Sequence, residues 1–331
     1  MKRFNLLPLL LLAALIFSAC GPGKDRARFE GKLENIANAE FYVYSEDGAF
    51  EGVDTIRIED GRFTYERKLT EPTLLTLLYP NYTQTYVVVE PGKTVKMKGD
   101  AAKLGEAKIS GTEQNEMLTE FREANVSGPA SNHKLAAAQF IRTNPQTLAA
   151  VAIYRRYFAS QKQPDVQLAL QLLDVLKQAQ PNSRSVMYIE NFYRPIFENG
   201  VGQVLPDFEA ETLDGRKVSR ADYQGKQLVL VCLGTWQNES RKFMQDITNK
   251  IKQAKGKWEC LIVSMDVDRQ VLRDRIKSDT LTYPVICDRK AFESPLVQKL
   301  GLHYVPSCML VGSNGKIIQR DVTKAEEARI H

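Results

Sequence analysis

Hydrophobic and polar positions divide the chain into three regions of different period. Between Phe29 and about Lys108 apolar residues recur in short runs rich in β-branched and aromatic side chains: Glu40–Tyr44, Thr55–Ile58, Arg62–Tyr65, Leu74–Tyr79 and Thr85–Val89. Turn pairs separate the runs at Asp47-Gly48, Asp60-Gly61, Pro80-Asn81 and Pro91-Gly92, and Asp60-Gly61 between IRIE and RFTYE carries the strongest hairpin signal. Closely spaced short strands predict a small antiparallel sandwich or barrel over residues 29–110. The period then becomes helical over 111–200, with segments at Glu113–Ala124, Lys134–Arg142, Pro145–Ser160 and Asp165–Gln178. Asn144-Pro145, Gln163-Pro164 and Pro181-Asn182 punctuate them. This segment reads as an α-helical connector, and the cluster Tyr154, Tyr157 and Phe158 within it reads as packing.

From about residue 201 the pattern alternates. Gln227–Cys232 is a continuous apolar run, which predicts a strand buried on both faces of a parallel sheet. Leu233-Gly234-Thr235 breaks it, Trp236 stands at the turn, and Asn238 is placed to cap a helix whose apolar face is Phe243, Met244, Ile247 and Ile251. Trp258–Met265, Arg269–Lys277, Tyr283–Ile286 and Ala291–Leu300 continue the alternation. A strand from Ser307 to Val311 and an Asn314-Gly315 turn into Lys316–Arg320 complete an α/β domain with a mixed sheet over residues 201–331.

Length and composition add limits. The 331 residues exceed one typical domain, and 43% hydrophobic with 26% charged residues is ordinary for a folded protein. The formal charge of +5 comes from Lys and Arg scattered among acids, so no nucleic-acid face is implied. His133, His303 and His331 are far apart and the five cysteines never form a close pair, which argues against a zinc site; no cofactor is indicated. At the start, Lys2-Arg3, the apolar stretch Leu6–Phe17 and Ser18-Ala19 before Cys20 have the layout of a secretory leader. Small residues followed at once by Cys resemble the lipobox of bacterial lipoproteins. That resemblance implies removal of residues 1–19, a lipid on Cys20 that anchors the chain to a membrane, and a tether over 20–28. The expected location is the bacterial cell envelope, facing the periplasm.

Two further resemblances follow from motifs. Phe29/Gly31/Leu33, Val53–Phe63 and Val87–Val95 resemble a β-rich domain of unknown function found at the N-terminus of envelope lipoproteins. Pro206–Val218 (P-D-F-x5-D-G-x-x-V), Gln227–Trp236 and Val305–Ile317 (V-P-S-x-M-L-V-x-x-x-G-K-I) resemble thioredoxin-like thiol oxidoreductases of the envelope, the TlpA and AhpC/TSA-related group. The resemblance implies a cis-proline at Pro306 and a Trp-Cys-x-x-Cys site at the helix start. There the sequence departs: Trp236 is followed by Gln237-Asn238-Glu239-Ser240, so an amide and a hydroxyl stand where two thiols are usual. Val231 likewise stands where some family members carry a buried acid. Dithiol exchange by the usual route needs both sulfurs, and the chain reads as a degenerate, redox-inactive member.

The expected role is therefore a binding or assembly module for envelope polypeptides, with Trp236, Val305 and Pro306 as peptide-binding candidates. The alternative is an oxidoreductase using cysteines outside the motif. Cys232 and Cys308, on strands expected to be neighbours, are the candidate pair, while Cys260 and Cys287 read as inert, with Cys287 oxidisable if exposed. His303 reads as a lone exposed histidine.

Overall fold

The structure, a computed structural model, describes residues 21–161 and 164–331. The leader, Cys20 and Gln163 lie outside the described residues. The described residues separate into two compact units, divided between Tyr188 and Ile189.

In the first unit eight strands form two sheets. They are β1 (Arg26–Glu34), β2 (Ala39–Tyr44), β3 (Asp54–Ile58), β4 (Arg62–Lys68), β5 (Thr73–Leu78), β6 (Gln84–Val89), β7 (Thr94–Asp100) and β8 (Lys108–Ser110). One sheet has the order β4-β1-β7-β8 and the other β3-β2-β5-β6. Their inner faces share one core, in which Phe29, Phe41, Phe63 and Tyr79 meet edge to face. The outcome is an open sandwich with no closed barrel, and β1 and β7 run parallel where an all-antiparallel arrangement is predicted. The Asp60-Gly61 turn forms, with positive φ at both residues and paired backbone hydrogen bonds between Glu59 and Arg62. Its two strands nevertheless part at once: β3 joins β2 and β4 joins β1 in the opposite sheet. A Cβ on Gly61 would come within 2.4 Å of the Leu33 carbonyl oxygen, so glycine is required there.

The helices that follow are α1 (Glu113–Ala124), α2 (Ala130–Thr143), α3 (Leu148–Tyr154), α4 (Val166–Ala179) and α5 (Arg184–Glu198). α1 to α4 lie between the sandwich and the C-terminal α/β region in the chain and fall in the same compact unit as the sandwich. Buried Asn115 on α1 binds the edge of strand β6 that no other strand pairs: it accepts from Val88 N at 3.0 Å and donates to Val88 O at 2.6 Å. Thr147 caps α3, which passes directly into a π-helical turn at Arg155–Ala159. The buried Arg155 there pairs with Glu46 and lies over the Tyr86 ring. The division between the units falls within α5, a helix that the sequence patterns above do not predict. Its signal is present, because Val186, Ile189 and Phe197 are buried at helical spacing, but Pro181-Asn182 and the internal Pro195 obscure it.

The second unit opens with the hairpin β9 (Glu209–Glu211) and β10 (Lys217–Ser219) around Asp214-Gly215. Its main sheet contains β11 (Gln227–Leu233), β12 (Trp258–Ser264), β13 (Val285–Ile286), β14 (Ser307–Val311) and β15 (Ile317–Val322) in the order β13-β12-β11-β14-β15. β11, β12 and β13 are parallel, while β14 and β15 are antiparallel to their neighbours. Helices α6 (Glu239–Gln253), α7 (Arg269–Ser278) and α8 (Pro295–Leu300) complete it. The central strands are buried on both faces, as the run Gln227–Cys232 predicts. Phe243, Met244, Ile247 and Ile251 of α6 and Leu272 of α7 pack on one face. On the other face lie Leu205, Phe208, Leu230, Cys232 and Leu300. This is a thioredoxin-like α/β arrangement.

Candidate functional site

Strand β11 ends at Leu233 and α6 begins at Glu239, so residues 234–238 form the loop that carries the site. Asp266, buried at the end of β12, holds this loop. Its carboxylate accepts from Thr235 N at 3.0 Å and from Thr235 Oγ1 at 2.5 Å, while Ser264 Oγ donates to it at 2.7 Å. Met265 N donates to Leu233 O at 2.8 Å beside this contact. Sequence reasoning missed Asp266, whose only signal is an acid directly after a buried strand.

The Trp236 side chain folds over Gly234, where any Cβ would lie 2.6 Å from the indole nitrogen. Trp236 remains 58% exposed. Asn238 occupies the helix cap but has helical backbone angles and makes no side-chain capping bond, contrary to expectation. Buried Ser240, inside the helix, ties back to the loop: its Oγ accepts from Gly234 N at 3.4 Å. Gln237 reaches across to the Val305 carbonyl through a long 3.5 Å contact from Nε2. The Val305-Pro306 bond is cis. Gln237, Val305 and Pro306 are thus brought together, with Trp236 exposed at the turn.

The other sulfurs are not brought together. In the antiparallel β11–β14 pair Val231 faces Cys308 and Cys232 faces Ser307. Side chains alternate between faces along a strand, so this one-residue offset sends Cys232 and Cys308 to opposite sides of the sheet. Cys232 lies in the core containing Leu230 and Leu300, and Cys308 in the core under α6. The expected approach of the two thiols does not occur. Burial pushes both up to about 12, where the neutral thiol prevails at ordinary pH. Burial also raises Cys260. Cys287 is not exposed: it is buried and its Sγ donates to Asp266 O at 3.1 Å. All four are free thiols.

His303 is not a lone exposed residue either. Its Nδ1 lies 3.0 Å from Gly301 O and 3.8 Å from Asp321 Oδ1, and its ring packs against Tyr304 and Phe192. Burial lowers its pKa despite the Asp321 charge. Its ring nitrogen is held in this cluster, and the contact made by the Ser240 hydroxyl is with a backbone amide. Among the described residues no group of three or more His, Cys, Asp or Glu could hold a metal ion.

Comparison with known proteins agrees with this two-part reading. Residues 27–118 match the family described as Domain of unknown function (DUF4369), and residues 201–320 match the AhpC/TSA family. The chain thus carries a β-rich domain of the first kind and a thioredoxin-like domain of the second. It is similar to the thiol-disulfide oxidoreductase ResA of Bacillus thuringiensis subsp. konkukian, 27% identical over 124 residues, covering 36% of this chain and 68% of that protein. ResA of Bacillus subtilis is 23% identical over 131 residues, covering 39% and 72%. A solved thiol-disulfide oxidoreductase from Bacteroides fragilis aligns with 27% identity over 37% of this chain and 91% of its own, at a TM-score of 0.33. The homology is to thioredoxin-like thiol-disulfide oxidoreductases. No helix among the described residues is long and apolar enough to cross a membrane.

Proposed function

We propose that the chain is a lipid-anchored envelope protein whose thioredoxin-like domain binds extended polypeptide without dithiol exchange. The observation that carries this reading is the site itself: Gln237 and Ser240 stand at the helix start while every described cysteine is buried and unpaired. Exchange needs an accessible thiolate, and an amide and a hydroxyl supply none. The retained features favour binding. Trp236 is 58% exposed, and Tyr304, next to Val305 in the chain, is 49% exposed. An exposed aromatic on the loop that reaches the Val305-Pro306 segment through Gln237 suits an extended peptide.

The test uses a permanently unfolded, carboxymethylated polypeptide carrying a dye and follows the fluorescence anisotropy of that dye on titration with the chain. Saturable binding that Trp236→Ala weakens about tenfold, in the range expected for a truncated aromatic anchor, supports the reading. Binding indifferent to that substitution, or reduction of a protein disulfide at the rate of a dithiol enzyme, removes it. Anchoring rests on the pattern Ser18-Ala19-Cys20 behind an apolar leader. Labelling with a fatty-acid analogue should mark the chain and fail with Cys20→Ala; a label that survives that change rules the anchor out.

A further inference from the structure

The second unit contains a cavity of about 160 Å³ between α6 and α7, over β12 and β13. Its floor is apolar, made by Met244, Ile262, Leu272 and Val285, all buried. One wall is polar and is lined by two arginines, Arg241 and Arg275, and a single acid, Asp279. The Asp279 side chain is only 7% exposed and Arg241 Nη2 lies 2.7 Å from its Oδ1, so that pair is mutually neutralised. Arg275 remains as the surplus positive charge on the wall. Gln237 and Ser240 border the same space, so the cavity begins where the two thiols of the family would stand.

We propose that this cavity binds a small monocarboxylate with an apolar body, its carboxylate directed to Arg275. The size sets the class, because an apolar cavity of roughly 150 Å³ accommodates a benzene-sized group. A polypeptide strand is too large to enter, so this site goes beyond the peptide surface at Trp236 and Val305. The charge sets the other end. A planar guanidinium pairs with a carboxylate through two parallel hydrogen bonds, and a neutral ligand leaves that interaction unmade. Burying an apolar body over Met244, Ile262 and Leu272 supplies the rest of the affinity.

The test is calorimetric titration of the purified full chain with sodium benzoate at fixed ionic strength. Benzamide serves as the neutral isostere and acetate as the anion without an apolar body. Benzoate is expected to saturate one site in the low millimolar range or tighter, with benzamide and acetate each about tenfold weaker or more. Arg275→Gln should weaken benzoate about tenfold while leaving benzamide unchanged. Ile276→Trp, which fills the cavity from α7, should abolish binding of benzoate. Arg275 is half-exposed, so its substitution gives a folded protein even if the larger side chain does not. Absence of saturable benzoate binding overturns the proposal. So does equal affinity for benzoate and benzamide, or an Arg275→Gln variant that binds benzoate as tightly as the parent.

Discussion

Cys232 and Cys308 sit on hydrogen-bonded neighbouring strands yet face away from each other, because Cys232 is opposite Ser307 and Cys308 opposite Val231. An even offset would have placed both sulfurs in one core; the odd one puts a sheet between them. With Cys260 and Cys287 also buried, no described thiol meets solvent. A thiol reagent should therefore find Cys232, Cys260, Cys287 and Cys308 unreactive in the folded chain and all four reactive in guanidinium chloride. One of them reacting promptly under native conditions would contradict the buried arrangement.

The same burial makes stability depend on alkaline pH. Cys232 and Cys308 are raised from about 9 to about 12, so between these values the unfolded chain has lost protons that the folded chain keeps. Stability then falls as pH rises above 9. Urea unfolding midpoints should decline from pH 9 to 11, and Cys232→Ala with Cys308→Ala should flatten that decline. An identical slope in parent and double variant counts against it.

His303 acts at the other end of the scale. Burial lowers its pKa below the ordinary 6.5, so the unfolded chain binds the proton more readily. Its contribution is present above that range and is lost as pH falls through it. Replacing His303 with Gln should make the unfolding midpoint less sensitive to pH between 7 and 5, and an unchanged profile would show that other groups govern it.

Asp266 holds the site loop through Thr235 and Ser264. Removing the carboxylate strands the Thr235 amide, so Asp266→Ala should destabilise the chain by about 2–3 kcal/mol, and Thr235→Val by about 1 kcal/mol. Denaturant titration measures both. Equal, negligible losses would mean that the loop is held by its other contacts.

Asn115 provides the corresponding test in the first unit. Its amide satisfies both backbone groups of Val88 on an edge strand and also donates to Thr112 Oγ1 at 2.7 Å. Asn115→Leu leaves these groups buried without partners and should cost about 2–4 kcal/mol. Asn115→Asp keeps the acceptor for Val88 N but loses both donors. A loss below that of an ordinary surface substitution would show that α1 does not depend on this contact.

The scaffold itself can be tested by restoring sulfur. Gln237→Cys with Ser240→Cys places thiols at the start of α6, and the double variant should gain a reducible disulfide and reduce protein disulfides faster than the parent. No gain would mean that the geometry around Trp236 has departed from that of its relatives further than the substitutions alone.

Local patterns determined much of this protein. The apolar run Gln227–Cys232, the 3- and 4-residue spacing from Phe243 to Ile251, and the Asp60-Gly61 turn each form as the chain predicts, because burial on both faces, helical period and positive φ are set by neighbouring residues. The loss of both motif thiols is equally a property of the sequence. Partnership between distant segments was decided only in three dimensions. Asp60-Gly61 fixes a turn but not which sheet each arm joins, and β3 and β4 go to different ones. The parity that separates Cys232 from Cys308, the reach of Asp266 to Thr235, and the space between α6 and α7 all depend on strand register and helix packing. Register is chosen by the sum of many cross-strand contacts in two cores, and no single stretch of residues carries that sum.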